Sequence, residues 1–322
     1  MKRKRCLLGV FILGTSLLLF TGTGEVFGAN FPTKLVTTVV GFSPGAGIDI
    51  EARGIAPFLQ KHLGVQVVID NVPGADAKIG LTRVWRAKRD GYTLMIHTTT
   101  MSIIGEYLLN PEYRIAGFSH IFSWSQTNSV LVVNSENWKT FDDFVKAGRE
   151  RVLSSGLPGR GTASHLSGLI LESALGIKVN WVPFDGSGDA LTALAGKHID
   201  FASVATTSAL PLVKAGKLRA LVVMANSKDI VFPDVPLAKD LGYKFTVIPM
   251  LRGADGPPNM APDVVKVLED AFAKAVKEPE YLAWAKKRMM EIAPLNHKEY
   301  GEAIDSQQKE IEKYKTFLKG DK

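Results

Sequence analysis

The 322-residue chain is 46% hydrophobic and 22% charged, and its 39 basic against 32 acidic residues give a formal charge of +7. Such a length carries one large domain or two ordinary ones with cores of their own, and the basic residues are too scattered for a nucleic-acid surface. The single cysteine, Cys6, stands ahead of the first apolar run, so the chain beyond it has no disulfide, thiolate metal site or cysteine nucleophile.

The first residues, MKRKRC, place Lys2, Arg3, Lys4 and Arg5 before the apolar run Leu7–Phe20, and small residues follow at Gly28 and Ala29. That run is shorter than the ~20 residues a helix needs to cross a bilayer core. The pattern is that of a signal peptide over residues 1–29, cleaved near Gly28 or Ala29 on export. An uncleaved membrane anchor is the competing reading, disfavoured by the short apolar run and the polar residues after it. Cleavage removes those four basic residues and Glu25, leaving 35 basic and 31 acidic, a charge of about +4 that mildly favours a small anionic ligand.

Strand-like β-branched runs then alternate with amphipathic patterns. The runs are Leu35–Val40, Val65–Asp70, Tyr92–His97, Val152–Ser155, Val179–Phe184, Phe201–Ala205 and Leu218–Ala225. Between them lie helical patterns such as IDIEARGIAPFLQKHLG, HLSGLILESALG, DALTALAGK and SALPLVKAGK, several ending in the glycine expected at a helix C-cap. Pro57, inside the first helical pattern, predicts a kink. Strand, helix, strand at this spacing predicts an α/β fold of mostly parallel sheets flanked by helices.

Two stretches break the alternation. Phe118–Ser135 predicts two strands with no helix between them, after which Thr140 caps a helix carrying Asp142 and Asp143 in its first turn. The segment YKFTVIPMLRGADGPPNMAP is followed by helical patterns alone, at Pro262–Val276, Pro279–Met289 and Lys298–Leu318. Two breaks predict two crossings between lobes: residues 30–127 and 247–322 form the first, residues 128–246 the second, with crossovers near 128–135 and 245–252. A single open sheet with a helical tail is the alternative.

GFSPG, Gly41–Gly45, has the G-x-S-x-G pattern of a nucleophile elbow and follows a strand-like run. Such an elbow needs the N–H of the residue after the serine as an oxyanion donor, and Pro44 has none. No earlier βα loop of the chain past the signal peptide can supply the second donor. An exported serine hydrolase in which Ser43 acts with Asp185 or Asp189 and His198 is therefore the weakest reading. The same residues suit an anion cradle, in which Ser43 caps and the backbone amides of Gly45, Ala46 and Gly47 stay open before a helix starting near Ile48. A loop whose glycines serve only its geometry explains GFSPGAG equally well.

A second glycine-rich loop, GLPGRGTASHL, carries Gly156, Gly159 and Gly161 ahead of a helix that Thr162 or Ser164 can cap. One such loop in each lobe, at the carboxyl edges of the sheets, would face across a cleft. Arg160 and His165 either approach the ligand or sit on surface and in packing. The histidines show no metal-ligand spacing, and neither a Walker A loop nor a GxGxxG after a strand occurs, so no metal or cofactor is expected. The tail KEIEKYKTFLK reads as a solvated helix face.

These segments together, FPTKLVTTVVGFSPGAGIDIEAR, VQVVIDNVPGADAKIG, RDGYTLMIHT, GLPGRGTASHL, NWVPFDGSGDALTALAGKHIDFA, AGKLRALVVMA and RGADGPPNMAP, resemble in order and spacing the solute-binding proteins of tripartite tricarboxylate transporters, the TctC or Bug proteins. The resemblance covers essentially the whole chain past the signal peptide. It implies a two-lobed, Venus-flytrap periplasmic binding fold of type II, not an enzyme, that captures a small organic carboxylate and delivers it, as a monomer, to large and small membrane subunits. A sensor that presents its bound form to a membrane receptor is the alternative. The implied ligand loops match Phe42, Ser43, Gly45, Ala46, Gly47 and Asp49 in the first lobe, with Thr98 beside them. In the second lobe they match Gly159, Gly161, Thr162 and His165, then Phe184, Gly186 and Ser187, then Ser203. Asp49 is expected to hold bridging water or a ligand amine. Ala46 replaces a glycine common in the family, and Asp76 adds a carboxylate near the expected cleft, either as solvated surface or as a selector of ligands.

Overall fold

A computed structural model describes residues 31–158, 161–244 and 246–319. The expected signal peptide, Gly159 and Arg160 lie outside the described residues. The chain runs β1 (Val36–Val40), α1 (Gly47–Leu63), β2 (Val67–Asn71), α2 (Lys78–Trp85), β3 (Thr93–Thr98), α3 (Thr99–Leu109), β4 (Ser119–Thr127) and β5 (Ser129–Asn134). It continues through α4 (Phe141–Glu150), β6 (Leu153–Pro158), α5 (Ala163–Leu175), β7 (Val179–Phe184), α6 (Ser187–Ala195), β8 (Phe201–Ala205), α7 (Thr206–Lys214) and β9 (Leu218–Met224). It ends with β10 (Met250–Gly256), α8 (Pro262–Ala275), α9 (Pro279–Lys287), β11 (Glu291–Leu295), α10 (His297–Glu312) and α11 (Lys315–Lys319).

Local chemistry accounts for the helix ends. Gly64 and Gly176 close α1 and α5 at φ +71° and +63°, the left-handed C-cap that a side chain disfavours. Thr140 opens α4 with a capping box: its hydroxyl accepts from the Asp143 amide while the Asp143 carboxylate accepts from the Thr140 amide. Pro57 lies inside α1, which is continuous across it.

The strands form two sheets, ordered β11-β4-β10-β3-β1-β2 and β7-β6-β8-β5-β9. In the first, β1 is parallel to β2 and β3, whereas β10 is antiparallel to both β3 and β4, and β11 is antiparallel to β4. In the second, β6 is parallel to β7 and β8, and β5 is antiparallel to both β8 and β9. The second sheet is thus a parallel set with one reversed strand, β5, inserted before its last member, whereas the first carries two reversed strands, β10 inside it and β11 at its edge. The expectation of mostly parallel sheets holds for strand direction, but the ladders are mixed, because β5 and β10 each arrive from the other lobe and β11 pairs along the edge of β4.

The two crossings differ in length. Only Asn128 separates β4 of the first sheet from β5 of the second, and the return from β9 to β10 takes residues 225–249. Sequence pattern missed two strands of the return. β10, MLRGADG, lacks apolar alternation, and β11, EIAPL, is short and carries Pro294, a residue tolerated on an edge strand. The C-terminal region read as helices alone therefore contains β11, and its last helix divides into α10 and α11.

Helices cover both faces of each sheet. Around the first, Trp124, Phe272, Leu268 and Tyr281 pack with α1, α8 and α9, while Ile103, Tyr113, Phe118 and Tyr300 pack on the opposite face. Around the second, Leu191, Val204 and Val223 face α6 and α7, and Phe144, Leu171 and Phe201 face α4 and α5. The second face of the first sheet does not stop at its own lobe: Leu166, Leu169 and Ile170 of α5 belong to the same apolar cluster as Ile104, Ile311 and Leu318. Among the described residues no helix is long and apolar enough to cross a membrane.

A buried polar network pins β3, β4, β10, α3 and α10 together. The Asp255 carboxylate lies 2.6 Å from His97 Nε2 and 2.8 Å from His120 Nδ1. His97 Nδ1 is 2.7 Å from Ser102 Oγ, and the Tyr300 hydroxyl is 2.5 Å from Thr99 Oγ1. Burial works against charge on Asp255, yet the charge and hydrogen bond of His120 and the contacts with His97 outweigh it and hold the carboxyl below its ordinary value. For His120 burial likewise opposes the charged ring, and the Asp255 charge and hydrogen bond, with Asp305, raise it overall.

The raised histidine fixes the sign of a pH effect. Its stabilisation is complete below its ordinary value of about 6.5 and is lost as pH rises through the higher folded value. Thermal unfolding of the wild type should show stability falling above about pH 6.5, and His120→Gln should flatten that slope. Asp255→Asn, which leaves two imidazoles without their anion, should cost about 3–5 kcal/mol in denaturant titrations.

Candidate functional site

The carboxyl ends of β1, β3, β6, β7 and β8 each lead into a helix, so the amino ends of α1, α3, α5, α6 and α7 gather at the sheet edges where open α/β folds take ligands. A cleft of about 240 Å³ opens there. Gly47, Ile50 and Glu51 of α1 line it, as do Ser125–Thr127 at the end of β4, Arg252 of β10, and Arg288, Met289 and Met290 of the turn from α9 to β11. Thr207 of α7 lines it from the second lobe. A wider and more open depression of about 690 Å³ sits on the second lobe around Trp138, Lys146 and Asp200. It belongs to a single lobe, and the Arg151–Asp200 ion pair occupies its wall.

The loop into α1 is braced from within. Asp49 is 1% exposed, and its carboxylate accepts from the Gly45 amide at 2.8 Å, from Arg53 Nε at 3.0 Å and from Asn71 Nδ2 at 2.8 Å. Asn71 Nδ2 also donates to the Phe42 carbonyl at 2.9 Å, and Arg53 reaches Asn71 Oδ1 at 2.8 Å. Burial pushes the Asp49 carboxyl up, but the bonds from Arg53, Gly45 and Asn71 and the Arg53 charge more than offset it and leave it lowered. Asp49 thus braces the loop itself.

This brace also moves the open donors along the chain. The Gly45 amide is taken by Asp49 and the Ala46 amide donates to the Ser43 carbonyl at 3.1 Å, so neither is open as expected from GFSPGAG. The first intrahelical bond of α1 runs from the Ile50 amide to the Ala46 carbonyl, and Ala46 at the N-cap has no side-chain cap. The amides of Gly47, Ile48 and Asp49 accordingly have no acceptor among the described residues. Ser43 and Gly45 are exposed, and Phe42 is half-buried against the core on both faces of the first sheet.

In the second lobe, the loop before α5 is likewise turned on itself. Thr162 caps α5, accepting from the His165 amide at 3.2 Å, and the Gly161 amide donates to His165 Nδ1 at 3.2 Å. His165 is 2% exposed and lies edge-on to Trp181. Gly161 sits at φ +70° against α3, where an added Cβ would come within 2.2 Å of Leu108 Cδ1. The α5 loop therefore rests on the first lobe, and only a glycine fits that approach.

The remaining expected residues are spread along the same edges. Thr98 ends β3 and is half-buried, with its carbonyl accepting from Ser102 Oγ at 3.2 Å. Phe184 is half-buried against the second lobe's core, Gly186 is the N-cap of α6 and Ser187 its first residue. Ser203 lies within β8 opposite Leu131, 2% exposed, and its hydroxyl has no partner among the described residues. Asp76 is exposed at φ +50°. Of the whole expected set, Gly47 alone lines the cleft shared by both lobes. Arg252, Thr207 and Arg288 were not anticipated. Thr207 is the second residue after the FASVA strand, so a closer reading of strand ends could have found it; nothing in the pattern around Arg252 or Arg288 marks either.

Comparison with known proteins agrees with this architecture. Residues 51–319 match the family model described as "Tripartite tricarboxylate transporter family receptor", TctC. A UPF0065 protein of Agrobacterium vitis is 30% identical over 254 residues, covering 78% of this chain and 73% of its own. Among solved structures, a ligand-free TctC solute-binding protein from Polaromonas aligns with a TM-score of 0.81 at 25% identity, over 88% of this chain and 100% of that one. MatC of Rhodopseudomonas palustris, solved with bound malate, aligns with a TM-score of 0.66 at 26% identity, over 89% and 100%. The chain belongs to the TctC family of solute-binding proteins and has the two-lobed periplasmic binding fold.

The brace around Asp49 gives a direct test. Asp49→Ala strips three donors of their acceptor and should cost about 1–3 kcal/mol in denaturant unfolding. Because the folded carboxyl is held low, the wild type keeps this contribution above the ordinary carboxylate range and loses it as pH falls through the lowered value. The variant should lack that acid-side component.

Proposed function

We propose that this member of the TctC family is exported to the periplasm, captures a small organic carboxylate between its lobes and delivers it to the membrane subunits of a tripartite transporter. The observation that carries the reading is the uncapped amino end of α1, where the amides of Gly47, Ile48 and Asp49 lack acceptors at a cleft that Thr207 of the other lobe also lines. Such an end binds a carboxylate with no cationic side chain, since its open N–H groups and the helix dipole both favour negative charge. The malate held by MatC supports the same ligand class.

In this reading residues 1–29 are the signal peptide, residues 30–127 and 247–322 form the first lobe, and residues 128–246 form the second, hinged near 128–135 and 245–252. Phe42, Ser43, Gly45–Gly47, Asp49 and Thr98 shape the first-lobe side of the site. Gly159, Gly161, Thr162, His165, Phe184, Gly186, Ser187 and Ser203 shape the second-lobe side. The amides replace the hydration shell of the carboxylate, and contacts made with both lobes at once favour the closed form. The membrane subunits then recognise that form of a monomeric binding protein.

Thermal-shift screening of the purified chain against mono-, di- and tricarboxylates, amino acids and aromatic acids tests the ligand class. A true ligand at a hundred times its Kd should add roughly 2.7 kcal/mol to stability. Absence of stabilisation by every acid, with calorimetry confirming no heat of binding, would overturn the reading.

A further inference from the structure

Among the described residues, the cleft carries one cation that nothing in its walls neutralises. Three charged residues line it, Glu51, Arg252 and Arg288. Glu51 and Arg252 offset each other at 3.4 Å, with side chains only 12% and 16% exposed, and Ser125 Oγ donates to the same Glu51 carboxylate at 2.8 Å. Glu291, next to the cleft turn, is committed to Gln126 Nε2 at 2.7 Å and Asn128 Nδ2 at 2.8 Å. Arg288 makes no ion pair among the described residues; its guanidinium lies 4.4 Å over the Trp284 ring, a contact that orients the charge without cancelling it.

The turn that presents Arg288 is anchored on the far lobe. Met289 adopts φ +55°, a conformation uncommon for a non-glycine residue, and its side chain packs against the second lobe's core. Between this turn and the open amides of α1, the cleft offers Ile50, which is 40% exposed, together with Met289 and Met290. Donors for one anion, an apolar stretch and a second cation thus share a space of about 240 Å³.

We infer that Arg288 determines specificity by receiving the second anionic group of a dicarboxylate with an apolar middle, whose first carboxylate lies at the amino end of α1. This rests on the carboxylate-capture reading and adds the residue that selects among carboxylates. An acid with one carboxylate leaves Arg288 solvated and gains nothing from it. An acid with a charge at each end ties α1 of the first lobe to a turn seated on the second.

Calorimetry on the processed wild type, Arg288→Ala and Arg288→Lys, with adipate and hexanoate as probes of equal chain length, separates the possibilities. The wild type should bind adipate about 10- to 100-fold more tightly than hexanoate, the range of one charge-assisted hydrogen-bonded pair. Arg288→Ala should bring the two acids within about threefold by weakening adipate alone, and Arg288→Lys should restore part of the preference. The exposed side chain makes the thermal midpoint of the free variants a control for folding. An equal ratio in wild type and Arg288→Ala, or equal binding of both acids by the wild type, overturns the role of Arg288 and leaves carboxylate capture standing. Binding of neither probe, together with a wild type that no acid of the wider screen stabilises, overturns the capture reading itself.

Discussion

The first sheet cannot be completed by its own stretch of chain, and the rest of the molecule depends on that constraint. β5 enters the second sheet one residue after β4 leaves the first, and β10 returns to fill the gap between β3 and β4. The reversed interior strand of each sheet, β10 in the first and β5 in the second, is the one delivered by a crossing, and β11 adds a second reversed strand at the edge of the first. Pairing β10 with β3 joins Arg252 to Thr98 across more than half the described chain, so closing the first sheet carries the entropy cost of a long loop. The first lobe is thus built from chain on either side of the second.

Where the chain crosses, polar groups replace apolar packing. Asn128 is 1% exposed and its Nδ2 donates to Asp229 at 3.0 Å and to Glu291 at 2.8 Å, tying the outgoing strand to the return segment and to β11. Burial first, then the nearby Asp229 charge, raises the Glu291 carboxyl despite the bonds from Gln126 and Asn128. Directional bonds fix the angle of a crossing more closely than apolar contact does, since their strength falls steeply with misalignment. On the other flank the lobes meet through apolar surface, with Leu166, Leu169 and Ile170 of α5 against Ile104, Ile311 and Leu318, and Gly161 against Leu108. The relative position of the lobes is thus set by a polar seam on one side and a dry contact on the other.

Local rules reached as far as local physics extends. Gly64, Gly176 and Thr140 were legible because a helix end needs a left-handed residue or a capping hydroxyl whatever surrounds it. The two strands in Phe118–Ser135 were legible because their short apolar runs are rich in aromatic and β-branched residues. β10 and β11 were not, since their stability comes from antiparallel pairing with β3 and β4 and not from side-chain pattern. In the site, the glycine-rich loop could be read as an anion cradle, but not the partners of its own amides. Gly45 bonds a carboxylate on the helix that follows, and that carboxylate is fixed by Asn71 from the next strand. Arg288 owes its place to an α9 turn that packs on a lobe it does not belong to, a relation no short window of sequence contains.

Pro44 and Asp49 together suit the loop after β1 to the proposed carboxylate capture better than to nucleophilic attack. Pro44 removes the donor an oxyanion would require directly after Ser43. Asp49 then occupies the Gly45 amide and locks the loop against α1 and β2, so that the donors left over belong to the first turn of a rigid helix. In the proposed capture, donors held in place before the ligand arrives cost little further ordering on binding, and they would meet a carboxylate whose own charge is already developed. A buried aspartate so close to an anion site would repel the ligand if its charge were unshared. With Arg53, Asn71 and Gly45 all directed at it, the negative charge is largely spent inside the brace, and the outward face of the helix end keeps its positive potential.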